Sequence, residues 1–272
     1  MTVKLASLLP VFESLWPQAS ADEWDQVGLA SGSPDQQIER VLLCVDPTIN
    51  VLQEAKNRSC QLVISHHPLL LEGVHSVAEG ELKGDILAYA ITNSIALFSA
   101  HTNADIVPGG VSDVLATKIG IQGSVPLVPT SGVSGHGRVG HLDSPMSIRD
   151  IAIRINEVLP ATYAPIRLAG DPDRIVSKVA VVGGSGASFL PDAINAGAEC
   201  FITSDLKHHV SLEAISDPAN QISLIDISHF AAESLWLEPA ATQLSEKIPT
   251  VEFLVSEIST DPWSLSIQGK LS

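Results

Sequence analysis

The sequence predicts an α/β fold containing two similar repeats, and three observations carry this. Short runs rich in Val, Ile and Leu alternate with segments of helical periodicity, the pattern of βαβ units around a parallel or mixed sheet. The block VLLCVDPTINVLQEAKNRSCQLVISHHP (41–68) is mirrored by AVVGGSGASFLPDAINAGAECFITSDLK (180–207). The strand after each block recurs too. IALFSAHTNAD (95–105) resembles SLIDISHFAAE (223–233), and each carries a histidine with an acid four residues later.

Taken in order, Leu5, Leu8, Leu9, Phe12 and Leu15 fall near helical spacing and predict an opening helix that Pro17 ends. A strand follows at 41–46, a helix at 48–59, a strand at 61–65, a helix at 82–94 and a strand at 95–100. Residues 121–145 are rich in Gly, Pro and Ser and read as a linker or crossover. Residues 146–170 carry a further helix and a short strand. The expected division is a first repeat over 1–125 and a second over 126–272.

Composition narrows the function classes. Of the 272 residues, 45% are hydrophobic and only 4% aromatic, so an aliphatic core is expected and disorder is not. The formal charge of −16 disfavours general binding to nucleic-acid backbone. Cys44, Cys60 and Cys200 form no CxxC pair, which fits small core residues in a reducing compartment. The N-terminal residues lack the pattern of a secretory signal, and no apolar run reaches transmembrane length, so a cytoplasmic location is expected.

The unusual polar residues gather in four clusters, each after a predicted strand: His66–His67, His101 with Asp105, Ser204–Asp205 with His208–His209, and His229 with Glu233. Functional groups in open α/β sheets collect at strand carboxyl ends. Imidazoles with carboxylates suit Zn, Mn, Fe or Ni. His229 and Glu233, at i and i+4 in an alanine-rich stretch, would share a helix face. Pro108 and Gly109–Gly110 place Asp105 on a loop instead. Neighbouring strand positions point to opposite faces, so His66 and His67 should diverge and serve two different ions rather than one. The turn VVGGSGASF (181–189) follows a strand and precedes a helix, but it lacks the spacing of a phosphate-binding loop and reads as a simple turn.

WDQVGL (24–29), LVISHHPLL (62–70), SAHTNADIVPGGVSDVLA (99–116), the block 181–209 and DISHFAAESL (226–235) together resemble the dinuclear-metal, toroidal hexamer family of interacting-factor-three-like proteins, also described as type-2 GTP cyclohydrolase I homologues. The blocks keep family order over most of the chain. The resemblance implies two intertwined α/β repeats, with layered sheets and flanking helices, in a homo-hexamer arranged as a trimer of dimers. It implies two divalent metal ions per subunit, held by His66, His67, Asp105, His229 and Glu233. One histidine of HHP would serve each ion, and Glu233 would bridge them. His101 and His209 fall on family positions close to the metals and would support catalysis. With about 65 residues between Gly120 and Ser185, the chain resembles the short form without an inserted domain. Gln26, Ala104, Ser204, His208, Ser228 and Phe230 depart from the usual pattern, none at an implied ligand.

The implied activity is a metal-dependent hydrolase acting on a nucleotide or related small molecule, with His101 or His209 moving the proton. The alternative class is a non-catalytic, metal-carrying regulatory or scaffold ring.

Overall fold

Strand β1 (Val3–Lys4) runs directly into helix α1 (Leu5–Leu15), whose Leu5, Leu8 and Phe12 are buried at the spacing of one helix face. The computed structural model describes residues 2–267. Strands β2 (Gly28–Ser31), β3 (Gln37–Ile38) and β4 (Arg40–Cys44) follow, then helix α2 (Ile49–Asn57). Thr48 caps α2, its hydroxyl accepting from Val51 N. Next come β5 (Leu62–Ser65), α3 (Leu82–Thr92), β6 (Ala96–Ser99) and a single helical turn, α4 (Thr102–Asp105).

The second half runs through α5 (Val111–Ile119), β7 (Ile121–Ser131), β8 (Ser134–Ser147), α6 (Ile148–Val158), β9 (Arg167–Ala169) and β10 (Ile175–Ser185). It continues with α7 (Leu190–Asn195), β11 (Cys200–Ser204), α8 (His208–Ser216), β12 (Ser223–Ile227) and α9 (His229–Ser234). Helix α10 (Leu237–Lys247) and strand β13 (Glu252–Val255) close the sequence of elements.

These elements form two units. Among the described residues, the first holds 2–107 together with Leu237–Thr260, and the second holds Pro108–Trp236 and 261–267. The first unit contains a five-stranded sheet of order β13-β4-β5-β6-β2. Its first four strands are parallel, and β2 pairs antiparallel with β6. The second contains a six-stranded sheet of order β7-β8-β10-β11-β12-β9, with β10, β11 and β12 parallel and both flanks antiparallel. The repeated blocks thus become two parallel triplets, β4-β5-β6 and β10-β11-β12, each bordered by one antiparallel strand beyond its third member. This is the mixed α/β architecture expected from the alternation of strands and helices.

The segment 121–145, expected as a linker, is instead most of a long antiparallel hairpin, β7 with β8. Pro126 and Pro129 are tolerated because β7 is an edge strand, where a missing N–H leaves no inner ladder broken. Gly132 turns the hairpin at φ 57°, and a Cβ on Gly135 would meet Val128 O at 2.4 Å. The composition that suggested a linker is what lets these two strands cross closely and turn tightly.

The parallel strands are buried on both faces, as covered sheets require. In the first unit Leu42, Val63 and Leu97 pack with Val51, Leu52, Ile86 and Ala90 of α2 and α3. In the second, Ile202 and Ile225 face α5, α6 and α9, while Phe201 and Leu224 face α7 and α8. All three cysteines are buried free thiols, in agreement with their expected core role.

Candidate functional site

In the first unit, strands β4, β5 and β6 end level with one another, Cys44 opposite Ser65 and Ser65 opposite Ser99. The residues just beyond, Asp46, His66, His67 and His101, therefore leave the sheet along one carboxyl edge. The regular pairing ends at Ser65, whose hydroxyl donates to His67 O at 2.7 Å, and beyond it His66 N and His67 N donate in succession to Cys44 O and Val45 O, both at 2.9 Å. Strand alternation lapses there. Contrary to the expected divergence, the rings of His66 and His67 lie 5.1 Å apart, and that of His101 lies 5.1 and 5.4 Å from them. One potential ligand nitrogen from each of the three falls within 4.8 Å of the others.

Each ring is oriented through its other nitrogen. His66 Nδ1 donates to Ala100 O (3.0 Å), His67 Nδ1 to Asp46 Oδ1 (2.7 Å) and His101 Nδ1 to Asp25 Oδ1 (2.9 Å). A carbonyl or carboxylate oxygen only accepts, so the proton sits on Nδ1 and Nε2 presents its lone pair. This is how ligating imidazoles are held in metal proteins. Burial works to raise the pKa of Asp25. Hydrogen bonds from His101 and Thr102 outweigh it and hold the carboxyl at about 2.

Asp105 was expected on a loop. It is the last residue of α4, because Ala104 N and Asp105 N both donate to His101 O, at 2.7 and 3.0 Å, and close one turn before Pro108. Asn103 reinforces the turn, its Oδ1 accepting from His101 N and its Nδ2 donating to Trp16 O. Asp105 Oδ1 comes to 3.6 Å from His66 Nε2.

The second unit repeats the plan. Ser185, Ser204 and Ile227 stand in register at the ends of β10, β11 and β12. His229 opens α9, which Ser228 caps by accepting from Ala231 N. His229 Nδ1 donates to Asp205 Oδ2 at 2.7 Å, and Nε2 lies 2.8 Å from Glu233 Oε1, on the shared helix face that the spacing predicted. With the Nδ1 proton committed, a nitrogen lone pair and a carboxylate oxygen this close call for a cation between them, either a second proton or a metal. Gly184, at φ 70°, passes this pair so closely that a Cβ would stand 2.5 Å from Glu233 Oε1 and 3.4 Å from His229 Nε2.

His209 lies exposed in the first turn of α8, its ring edge-on to His208 at 5.1 Å. Ser204 is fully buried, and its hydroxyl makes no hydrogen bond among the described residues.

The donor set fits a divalent metal. With bonds of roughly 2.0–2.2 Å, two ligands of one ion stand roughly 3.0–3.6 Å apart. The His66–Asp105 separation of 3.6 Å lies at the upper end of that range, and the His229–Glu233 separation of 2.8 Å falls short of it, at hydrogen-bond length. Histidine and glutamate groups of this chain could thus hold a metal ion. Asp25, Asp46 and Gly184 have roles that the sequence pattern does not announce, and Asp205, though it falls in one of the four clusters, gives no sign of its pairing with His229. Only the fold brings each aspartate to a ring nitrogen 21–76 positions away in the chain. The separations are 76 for Asp25, 21 for Asp46 and 24 for Asp205.

Fold and geometry define a mixed α/β protein with metal-capable histidine and carboxylate groups at the carboxyl ends of its parallel strands. The chain belongs to the Duf34/NIF3 (NGG1p interacting factor 3) family, whose profile matches residues 3–262. A Streptomyces coelicolor protein named GTP cyclohydrolase 1 type 2 homolog is 41% identical over 272 residues, covering 97% of this chain and 95% of the relative. A Bacillus cereus protein related to NIF3 shares the fold at a TM-score of 0.91 and 23% identity, over 97% of this chain and 99% of that one. The Staphylococcus aureus hypothetical protein SA1388 does so at 0.89 and 27%, over 97% and 99%. Among the described residues, no helix is long and apolar enough to cross a membrane.

Proposed function

We propose that this chain is a metal-dependent hydrolase that holds two divalent cations and acts on a nucleotide or related small molecule. Its ligands are His66, His67 and Asp105 in the first unit and His229 and Glu233 in the second. The observation that carries the reading is the common arrangement of the four imidazoles. Each of His66, His67, His101 and His229 donates Nδ1–H to an oxygen and presents Nε2. A lone histidine is commonly a satisfied polar residue; with four set in one tautomer, His66, His67 and His229 are prepared as ligands and His101 as the proton acceptor beside them.

A bound divalent cation lowers the pKa of water and so supplies a nucleophile near neutral pH. The chain's own groups supply the rest. His101 takes up a proton at Nε2, and Asp25 beside its Nδ1 stabilises the resulting imidazolium. Asp46 and Asp205 keep the rings of His67 and His229 from rotating. His209, exposed at the start of α8, is the second candidate for proton transfer. The nucleotide substrate class rests on the names of the relatives. A cytoplasmic homo-hexamer, a trimer of dimers, is the proposed assembly, resting on the motif resemblance.

The test is a panel of nucleotides and phosphoesters offered to metal-reconstituted protein, with Glu233→Gln as control. Turnover by the parent and its loss in the variant support the reading. Absence of turnover across the panel in fully metallated protein would leave a non-catalytic metal-binding ring as the account.

A further inference from the structure

Trp24 is 59% exposed, whereas Trp16 and Trp236 are each 1% exposed. A single exposed apolar side chain is ordinary by itself; what sets Trp24 apart is its place beside the imidazole cluster. The turn that carries Trp24 cannot readily fold the ring inward, because it is pinned on both sides. Asp25 N donates to Asp22 O (3.0 Å), Asp22 N donates to Thr102 Oγ1 (3.0 Å), and Thr102 N donates to Asp25 Oδ2 (3.0 Å). The same Asp25 carboxylate receives His101 Nδ1. Trp24 and the orientation of His101 therefore share one anchor.

The indole meets the His101 ring edge-on, at 5.8 Å between centroids and 81° between planes. Among the described residues it makes no other ring contact. With the planes near perpendicular the imidazole meets at most one face of the indole, and at 59% exposure the indole keeps an open face next to a cluster of three imidazoles. A rigid, open aromatic face is a stacking platform, and what it stacks best is another planar π-system.

We infer that Trp24 is a substrate-binding residue that stacks against a planar heteroaromatic ring of the nucleobase kind and so sets the reacting group near His101. The inference rests on the proposed nucleotide substrate for its place in a reaction, but binding of the ring is measurable without turnover. Stacking has no donor or acceptor code, so the site takes purine and pyrimidine rings alike, with larger rings favoured by their greater contact area. A ringless sugar phosphate gains nothing from it.

The experiment uses the intact, metal-reconstituted protein carrying Trp263→Phe. This removes the other strongly exposed indole, 64% exposed, and leaves Trp24 to report. Iodide should quench Trp24 before ligand is added. Guanosine should then quench it saturably and protect it from iodide, while ribose 5-phosphate should not. Trp24→Ala should weaken guanosine binding by about 10- to 100-fold, measured by calorimetry, with metal content and circular dichroism unchanged. Trp24→Phe should recover part of the loss. Equal guanosine affinity in Trp24→Ala and parent overturns the inference. So does an indole that iodide cannot reach in unliganded protein, since a second copy of the chain would then cover it. Trp24-dependent binding without turnover leaves the ring site standing and removes the hydrolase. Nucleotide turnover indifferent to Trp24→Ala does the reverse.

Discussion

Asp205 Oδ2 accepts the Nδ1 proton of His229 at 2.7 Å from a backbone position held at φ 58°. A non-glycine residue in this left-handed region is uncommon, and such strain persists where the surrounding structure over-determines it. Asp205 ends the peptide that turns off β11, and the next residue, Leu206, donates its N–H to Asp226 Oδ1 at 2.9 Å. Asp226 is itself paired with Arg167. The turn is therefore fastened on one side by an ion pair and on the other presents a carboxylate to the ring.

From this follows the first prediction. Asp205→Asn keeps the shape but lets the amide present either end to Nδ1, so the His229 tautomer is no longer enforced. Metal affinity should fall by roughly 10- to 100-fold, read by competition with a chromogenic chelator. Unchanged affinity would show that Asp205 does not orient a ligand.

Gly184→Ala should be more damaging than an ordinary glycine replacement. Its positive φ costs about 1–2 kcal/mol with any side chain. The new methyl would also stand 2.5 Å from Glu233 Oε1, forcing a buried carboxylate away from His229. We expect a lower midpoint in urea together with loss of bound metal. Loss of stability with full metal retention would contradict the assigned role of the close approach.

Ser204→Ala should stabilise the protein. A buried hydroxyl that makes no hydrogen bond carries a desolvation penalty on the order of 1–3 kcal/mol, which alanine removes. Ser204→Gly removes the hydroxyl too but adds roughly 0.5–1 kcal/mol of backbone entropy. Urea melts of the metal-free protein should rank Ala above both Gly and the parent; a parent more stable than Ala sinks the argument.

Acid stability tests the Asp25 network. Its folded pKa of about 2 lies below the ordinary 3.8, so its stabilisation is present above pH 3.8 and is lost as pH falls toward 2. The shift corresponds to about 2 kcal/mol. Asp25→Asn should be less stable at neutral pH and should lose less on acidification through this window. Parallel pH profiles for the two proteins would rule the network out as the source.

Much of this was legible in the residues, and the limits have physical causes. The parallel strands announced themselves because strands buried on both faces must be continuously apolar, as 41–44 and 62–64 are. The pairing of His229 with Glu233 followed from helical spacing alone. The β7–β8 hairpin did not, because an edge strand tolerates prolines and glycines that would exclude an inner one. The convergence of His66 and His67 was hidden for another reason. Strand alternation applies only while residues pair regularly; that pairing ends at Ser65, and the successive N–H groups of His66 and His67 both turn to Cys44 and Val45, at and just past the end of β4. The partners of the imidazoles lie 21–76 residues away and mark themselves by nothing local.

The most direct measurement is metal content. Elemental analysis of metal-saturated protein, paired with anomalous diffraction to place the ions, should find two divalent cations per chain next to the named histidines. His67→Ala should lose one of them. Wild-type protein with no metal beside His66 and His67 under saturating conditions would contradict the account at its centre.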